Sequence, residues 1–433
     1  MASDTQSGTK SPWAHVLEEL GLATMWCSSR DVKFLCAQRF VRLFAYGGST
    51  LVLASYLSAI GITDDRIGLF MTLTLIGDVV ISFFLTLFAD AMGRRAVLSL
   101  GSILMAGSGV VFALFGNYWI LLAAAVFGVI SPSGNEIGPF RAVEESTLAH
   151  LTPKEQLSDV FAWYSLVGTA GTALGQLVCG WTISSLQSLH GWAFIPSCRI
   201  IFFVYAGVGL LKLLLTLVLS REMEAVSEEE AHKRQQQQQQ ADETRPLLAE
   251  SRSNEQPATP NSRKSLFASL DQDLWSLVIR LFILFGLDAF ASGLASLSWM
   301  TYFFRRKFSL PEGELGTIFF VTSTIAAASM LVASSIAKRI GNVKPLARHS
   351  LPQLSPSDRR TAIMGAVNVV KTTTQSLGPL LTGILARNNL FGVSFIIAGC
   401  LKVIYDLGML FSFGGKEAAS RKLTTQENEE ETR

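Results

Sequence analysis

The sequence is short of charge. Lys, Arg, Asp and Glu together make up 16% of its 433 residues, where a soluble domain carries about 25%. The shortage is concentrated: no charged residue occurs between Val79 and Ala89, and none between Ala96 and Asn135. Cysteine is scarce as well. Cys27, Cys36, Cys179, Cys198 and Cys400 are scattered with no Cys-x-x-Cys pair, which fits packing residues and not a disulfide or metal framework. No nucleophile–base set and no metal-ligand spacing stands out, so neither an enzyme nor a bound metal or other cofactor is expected. The net charge is +2 with the basic residues in loops between apolar runs, and no nucleic-acid partner is expected. The first 30 residues lack a basic region followed by an apolar core, so the first apolar span is expected to act as the insertion signal.

Long apolar runs are what the chain has instead. Hydrophobic residues form 49% of it, and mean hydropathy is +0.37. Runs of about 20 residues are long enough to cross the ~30 Å hydrocarbon core of a lipid bilayer as helices. The fold class that follows is an all-α polytopic membrane protein. Spans are expected at Val32–Ile60, Ile67–Phe88, Ala96–Phe115, Tyr118–Glu144, Ser158–Leu186 and Ala193–Ser220. After a break they resume at Leu274–Phe303, Leu315–Ala337, Arg360–Leu385 and Leu390–Phe413. The fourth is interrupted by Ser131-Pro132-Ser133-Gly134-Asn135-Glu136-Ile137-Gly138-Pro139, and such broken membrane helices need a cavity or neighbour to satisfy their carbonyls. The fifth carries Gly168, Gly171, Gly175 and Gly180, a stripe that lets helices approach closely.

The expected domains are a segment at 1–30, a six-helix half at 31–220, a linker at 221–271, a four-helix half at 272–414 and a tail at 415–433. Trp13, Val16, Leu17 and Leu20 form an amphipathic stripe in the first segment. The linker holds Glu228-Glu229-Glu230 and a run of Gln235 to Gln240, a composition that cannot bury a core.

One short stretch ties these runs to a family. Asp90-Ala91-Met92-Gly93-Arg94-Arg95 follows the second span and precedes the third. Gly93 supplies the unusual backbone angle of a very short turn, and Arg94 and Arg95 mark a cytoplasmic face. The stretch resembles the loop between helices 2 and 3 of the major facilitator superfamily, with Thr86 where the family prefers Gly and Ala91 where it prefers a basic residue. The resemblance covers about residues 31–414 and looks most like the drug- and organic-solute–proton antiporter branch. It implies a switch role for Asp90, Gly93, Arg94 and Arg95: the Asp90 carboxylate would meet the start of the eleventh family helix around Arg359-Arg360-Thr361, where the helix dipole favours an anion.

The halves repeat. Leu151-Thr152-Pro153-Lys154-Glu155 matches Leu354-Ser355-Pro356-Ser357-Asp358 at an offset of 203, as do Gly175 with Gly378 and Gly180 with Gly383. Ala89-Asp90-Ala91-Met92-Gly93 matches Ala337-Lys338-Arg339-Ile340-Gly341 at an offset of 248. The difference, 45 residues, is two spans of ~20 residues each and a turn. Helices 9 and 10 of a twelve-helix plan are therefore expected to be absent, which leaves ten. Removing a pair keeps the orientation of everything downstream, and both termini and the linker are expected on the cytoplasmic side. Without the pair, the product is expected to fold poorly or not to transport, and a longer form to carry the activity.

Ionisable residues inside a membrane mark functional sites. By depth, Asp78, Asp288, Lys371 and Asp406 fall near mid-bilayer, and Arg39, Arg42 and Glu136 in the inner half. A path for protons and a small solute is expected through Arg42, Asp78, Glu136, Asp288 and Lys371, with Glu136 and then Asp288 as the titrating carboxylate. The competing reading is structural pairing, foremost for Asp78, Asp406 and Arg39. Trp163 and Tyr164 read as interfacial anchors. The function expected is a proton-coupled secondary transporter of a small organic solute. The alternative is a membrane sensor, scaffold or inactive truncated product that does not transport. Glu243, Leu247 and Leu248 resemble a sorting signal read by an adaptor, so residence in the plasma membrane or a vacuole- or lysosome-type membrane is expected.

Overall fold

In the computed structural model of the protein, the described residues are 22–128, 130, 132, 139–153, 156–219, 272–340 and 357–431. Side chains of some helical residues, Asp90 among them, lie outside the described set, as do the whole of the 221–271 linker and the stripe at Trp13–Leu20. All the described elements are helices: α1 Leu22–Cys27, α2 Arg30–Ala59, α3 Asp64–Met92, α4 Arg94–Leu114, α5 Tyr118–Gly128, α6 Pro139–Leu151, α7 Leu157–His190 and α8 Phe194–Leu217 in the first half; α9 Gln272–Leu294, α10 Leu297–Phe308, α11 Glu312–Ile340, α12 Ser357–Arg387 and α13 Phe391–Glu431 in the second. Seven helical segments of the described residues, with Ile279–Phe308 of α9 and α10 taken as one, are long and apolar enough to cross a membrane. The protein is an all-α, multi-pass membrane bundle.

Helix α2 is the spine of the first half. The Ser29 hydroxyl caps its start by accepting from the Val32 amide at 3.4 Å, and Asp31 in its first turn suits the positive end of the helix dipole. It is buried along most of its length. Helix α7 reaches it because of the glycine stripe: a methyl group on Gly171 would strike the Phe40 carbonyl, and one on Gly175 the Phe44 carbonyl. The last member of the stripe, Gly180, faces Glu312 and Gly316 of α11 in the other half. Tyr56, Phe112 and Phe202 join α2, α4 and α8 with ring centroids 5.0 to 5.1 Å from Phe202, and Tyr56 donates its hydroxyl to the Phe112 carbonyl at 3.0 Å.

Three expectations change. The turn after the second span is one residue long, because α3 runs on through Asp90 and Met92 and only Gly93, at φ +85°, separates it from α4. Ala and Met favour helix, and a positive φ at Gly93 costs little. The seventh span is two helices, α9 and α10, broken at Ala295–Ser296. Just after the break, Ser298 packs on the first half and donates to the Thr50 carbonyl at 3.0 Å. The last span does not stop at Phe413, since α13 stays helical to Glu431. Between α11 and α12 the second half has only residues 341–356, with no counterpart of α4 and α5 among its described helices.

The close approach of α2 and α7 yields a test. Gly171→Val should lower the melting temperature of the detergent-solubilised protein, with a cost of about 1–3 kcal/mol typical of overpacking. Gly107 lies in α4 with nothing within 4 Å of an added methyl, so Gly107→Ala should leave the melting temperature unchanged or raise it. Equal behaviour of the two variants would show that the glycine stripe does not set the packing.

Candidate functional site

A polar cluster sits inside the first half, where α2, α6, α7 and α8 converge. Arg42 on α2 forms a two-bond fork with Glu144 on α6, Nη1 to Oε1 at 2.6 Å and Nη2 to Oε2 at 2.7 Å. Tyr164 on α7 donates its hydroxyl to Glu144 Oε2 at 2.6 Å, and Lys212 on α8 brings Nζ within 3.7 Å of Oε1. All four side chains are buried. Arg39, one turn before Arg42, stacks its guanidinium over the Tyr164 ring at 4.0 Å, a cation–π contact, and fills the space left by Gly168. One carboxylate thus joins four helices. Helix α6 follows the broken stretch, and Glu144 seats it.

A second cluster lies in the other half. Asp288 on α9 accepts from Lys402 on α13 at 2.7 Å, and the same ammonium lies 3.2 Å from the Ser292 hydroxyl. Lys371 on α12 stands 5.3 Å from the Phe285 ring centroid, and Phe285 packs against Tyr405. The Asp288–Lys402 pair is half-exposed, unlike the sealed pair of the first half.

Among the described residues, a set of polar contacts joins the two halves at one end. There Asp64 takes Arg306 at 2.6 Å and the Tyr302 hydroxyl at 2.9 Å, and Tyr302 also meets Ser58 at 3.0 Å. Asp65 takes Arg387 at 3.0 Å. Gly313 donates its amide to Ser184 at 2.8 Å, Leu380 donates to Thr72 at 3.1 Å, and Arg305 lies over the Phe194 ring while pairing with Glu312 at 2.8 Å. A cleft of about 650 Å³, lined by Ser58, Asp64, Tyr302 and Arg387 among others, opens beside these pairs. The basic cluster Arg305-Arg306-Lys307, which runs against the expected charge bias, is thus answered by acids on the same face. The contacts of Ser298 with Thr50 and Pro132 lie deeper, at 3.0 and 3.4 Å.

Of the residues expected from the sequence, Arg42 belongs to the first cluster, Asp288 and Lys371 to the second, and Asp78 is buried in α3. Asp406 is exposed on α13. Glu136, Glu243, Leu247 and Leu248 lie outside the described residues, as do the side chains of Asp90, Arg359 and Arg360. At the switch turn, Arg94 is buried and Arg95 donates to the Leu217 carbonyl at 2.5 Å, which ties α4 to the end of α8. Tyr164 is a buried donor to Glu144 and not an interfacial anchor, because its hydroxyl is needed by a buried carboxylate. Sequence reasoning passed over Glu144 and Lys212. Lys212, the one charge between Ile200 and Leu217 of α8, was a visible signal; Glu144, beside an identical neighbour, was not.

Two halves of membrane helices, each with charged side chains inside it, joined at one end by ion pairs, make the architecture of a membrane transporter. The chain belongs to the Major Facilitator Superfamily, whose family model matches residues 35–351. It is 34% identical to an uncharacterized membrane protein of Saccharomyces cerevisiae, YJR124C, over 447 positions that cover 92% of this chain and 97% of the relative. It is 25% identical over 168 residues, 39% of each chain, to quinolone resistance protein NorA of Staphylococcus aureus. Among solved structures it resembles the xylose transporter XylE from E. coli at a TM-score of 0.54 and 14% identity, covering 89% of this chain and 99% of that one. A bacterial homolog of the human lysosomal transporter Spinster aligns at 0.51 and 16% identity, over 93% of both chains.

Breaking a buried pair from one side strands a charge, which costs about 3–5 kcal/mol. Arg42→Met should therefore destabilise the protein by that order in a detergent unfolding assay, while Arg42→Met combined with Glu144→Met recovers part of the loss. Additive losses in the double variant would show that the two side chains do not act as a pair.

Proposed function

We propose that the protein is a secondary active transporter of a small organic solute, coupled to protons and working by alternating access. The observation that carries the reading is the set of ion pairs that joins the halves at one end. Ion pairs such as Asp64–Arg306 and Asp65–Arg387 can close that end in one state and part in another. The partial likeness to a quinolone resistance protein supports an organic solute.

The coupling group is a membrane carboxylate that can exchange its partner. Glu144 is held by three side chains on three helices and acts as a clamp. Asp288 has a half-exposed lysine as its partner; a proton on Asp288 would release Lys402, and with Lys371 nearby a solute carrying an anionic group could take Asp288's place. Glu136 remains the other candidate, on the broken-helix argument. The termini and linker face the cytoplasm in this reading, and the Glu243–Leu248 signal directs the protein to a vacuole- or lysosome-type membrane.

Proteoliposomes with an internal pH dye, offered a panel of organic solutes, provide the assay, run in parallel on this chain and on a longer form with a helical hairpin between α11 and α12. A solute that moves protons in the unsubstituted protein should move none in Asp288→Asn, while exchange of labelled for unlabelled solute persists. Glu136→Gln is measured alongside. Wild-type pH dependence in both variants would place coupling elsewhere, and failure of every solute to move in either form would count against transport.

A further inference from the structure

We propose that the open side of α13 is the seat of a transmembrane helical hairpin, the second-half counterpart of α4 and α5, carried by a longer form of this protein. The corresponding helix of the first half, α8, sets the register. Helices α8 and α13 open alike: Phe194 and Phe391 begin them, and three residues later Ser197 and Ser394 are buried, each hydroxyl turned back onto a carbonyl of its own chain. In that register Tyr205 corresponds to Lys402. Tyr205 stacks on Tyr46 of α2, and Lys402 pairs with Asp288 of α9, so each reaches the first helix of its own half.

The same register shows what is uncovered. In α8, Phe202, Ala206 and Gly209 are buried against α4, with Gly209 against the backbone of Ala106 and Gly109 against that of Phe202 and Ala206. Their counterparts in α13 are Gly399, Val403 and Asp406. Nothing lies within 4 Å of a methyl built on Gly399, Val403 is 57% exposed, and Asp406 is exposed. A carboxylate facing hydrocarbon is costly, so this side is not built for lipid. It is the face of α8 without its α4.

Three further observations select the occupant. The sequence gives 58 residues from Gly93 to Leu151 but 13 from Gly341 to Leu354. The match to the family model ends at residue 351, inside that short interval. The alignment to the yeast relative runs over 447 positions but uses 92% of 433 residues, or 398, which leaves about 49 positions where the relative has a residue and this chain has none. A hairpin of two ~20-residue spans and a turn is of that size. A hairpin also enters and leaves on one side of the membrane, so it can be present or absent without inverting α12 and α13.

The test compares this chain with a form that carries, between Gly341 and Leu354, the segment of the yeast relative lying between its counterparts of α11 and α12. Both receive Val403→Cys in a background where the exposed Cys27 and Cys400 are serine, and both are labelled in liposomes with a membrane-soluble maleimide. Labelling should be at least tenfold slower in the longer form. A Phe203→Cys control on the outer side of α8, 48% exposed, should label equally in both. Equal labelling of Val403→Cys in the two forms would overturn the proposal. So would oxidative cross-linking of Val403→Cys between two copies of the 433-residue chain, which would make a second copy the occupant. Reading transcripts across the Gly341–Leu354 codons gives a result that does not depend on folding. An in-frame insertion of roughly 45 codons, the size of two spans, is expected, and a short product alone would contradict the longer form.

Discussion

A charge held in hydrocarbon must be answered by another group of the protein, and the Arg42–Glu144 fork is where this requirement shapes the fold most. Four helices contribute to one carboxylate: α2 through Arg42, α6 through Glu144 itself, α7 through Tyr164 and α8 through Lys212. Helix α6 begins at Pro139, after the broken stretch, and is not a continuous extension of α5. Its place is set by the acid it carries. The glycines of α7 complete the arrangement, since the backbone of α7 must lie close to α2 before Tyr164 can reach Glu144.

Magnitudes separate the two kinds of ion pair in the molecule. Loss of one partner from a sealed pair costs about 3–5 kcal/mol, so the Arg42–Glu144 pair holds the first half together firmly. Pairs open to water are worth about 0–1 kcal/mol each, and the pairs that join the halves, Asp64–Arg306 and Asp65–Arg387, are partly open. Rigid halves held by breakable contacts are the physical condition for rocking between two states. At the other end of the first half, α3 and α4 are joined by the single-residue turn at Gly93, and Arg95 ties α4 to Leu217 at the end of α8.

Much of this was legible in the sequence because it rests on local pattern. The apolar spans, the repeat of the halves, the Gly168–Gly180 stripe and the special angle at Gly93 each follow from spacing or residue type. Arg42 and Asp288 were legible as charges at membrane depth. Glu144 was not, because Glu144 and Glu145 are identical in sequence: one points inward to Arg42, and the other pairs with Arg141 on the surface at 2.6 Å. The break between α9 and α10 was also hidden, and the bond beside it, from Ser298 to Thr50, joins residues 248 apart. The contacts at Asp64 and Asp65 likewise exist only once the halves are assembled.

The central claim is that the end closed by Asp64 and Asp65 opens as the protein works. Pulsed electron spin resonance on labels at Ile62 and Asn388, which flank that end from opposite halves, measures it directly in liposomes. The account predicts a dominant short distance with a minor longer one, and a shift of population to the longer distance in Asp64→Asn combined with Asp65→Asn. A single short distance, unchanged by the two substitutions, would contradict it.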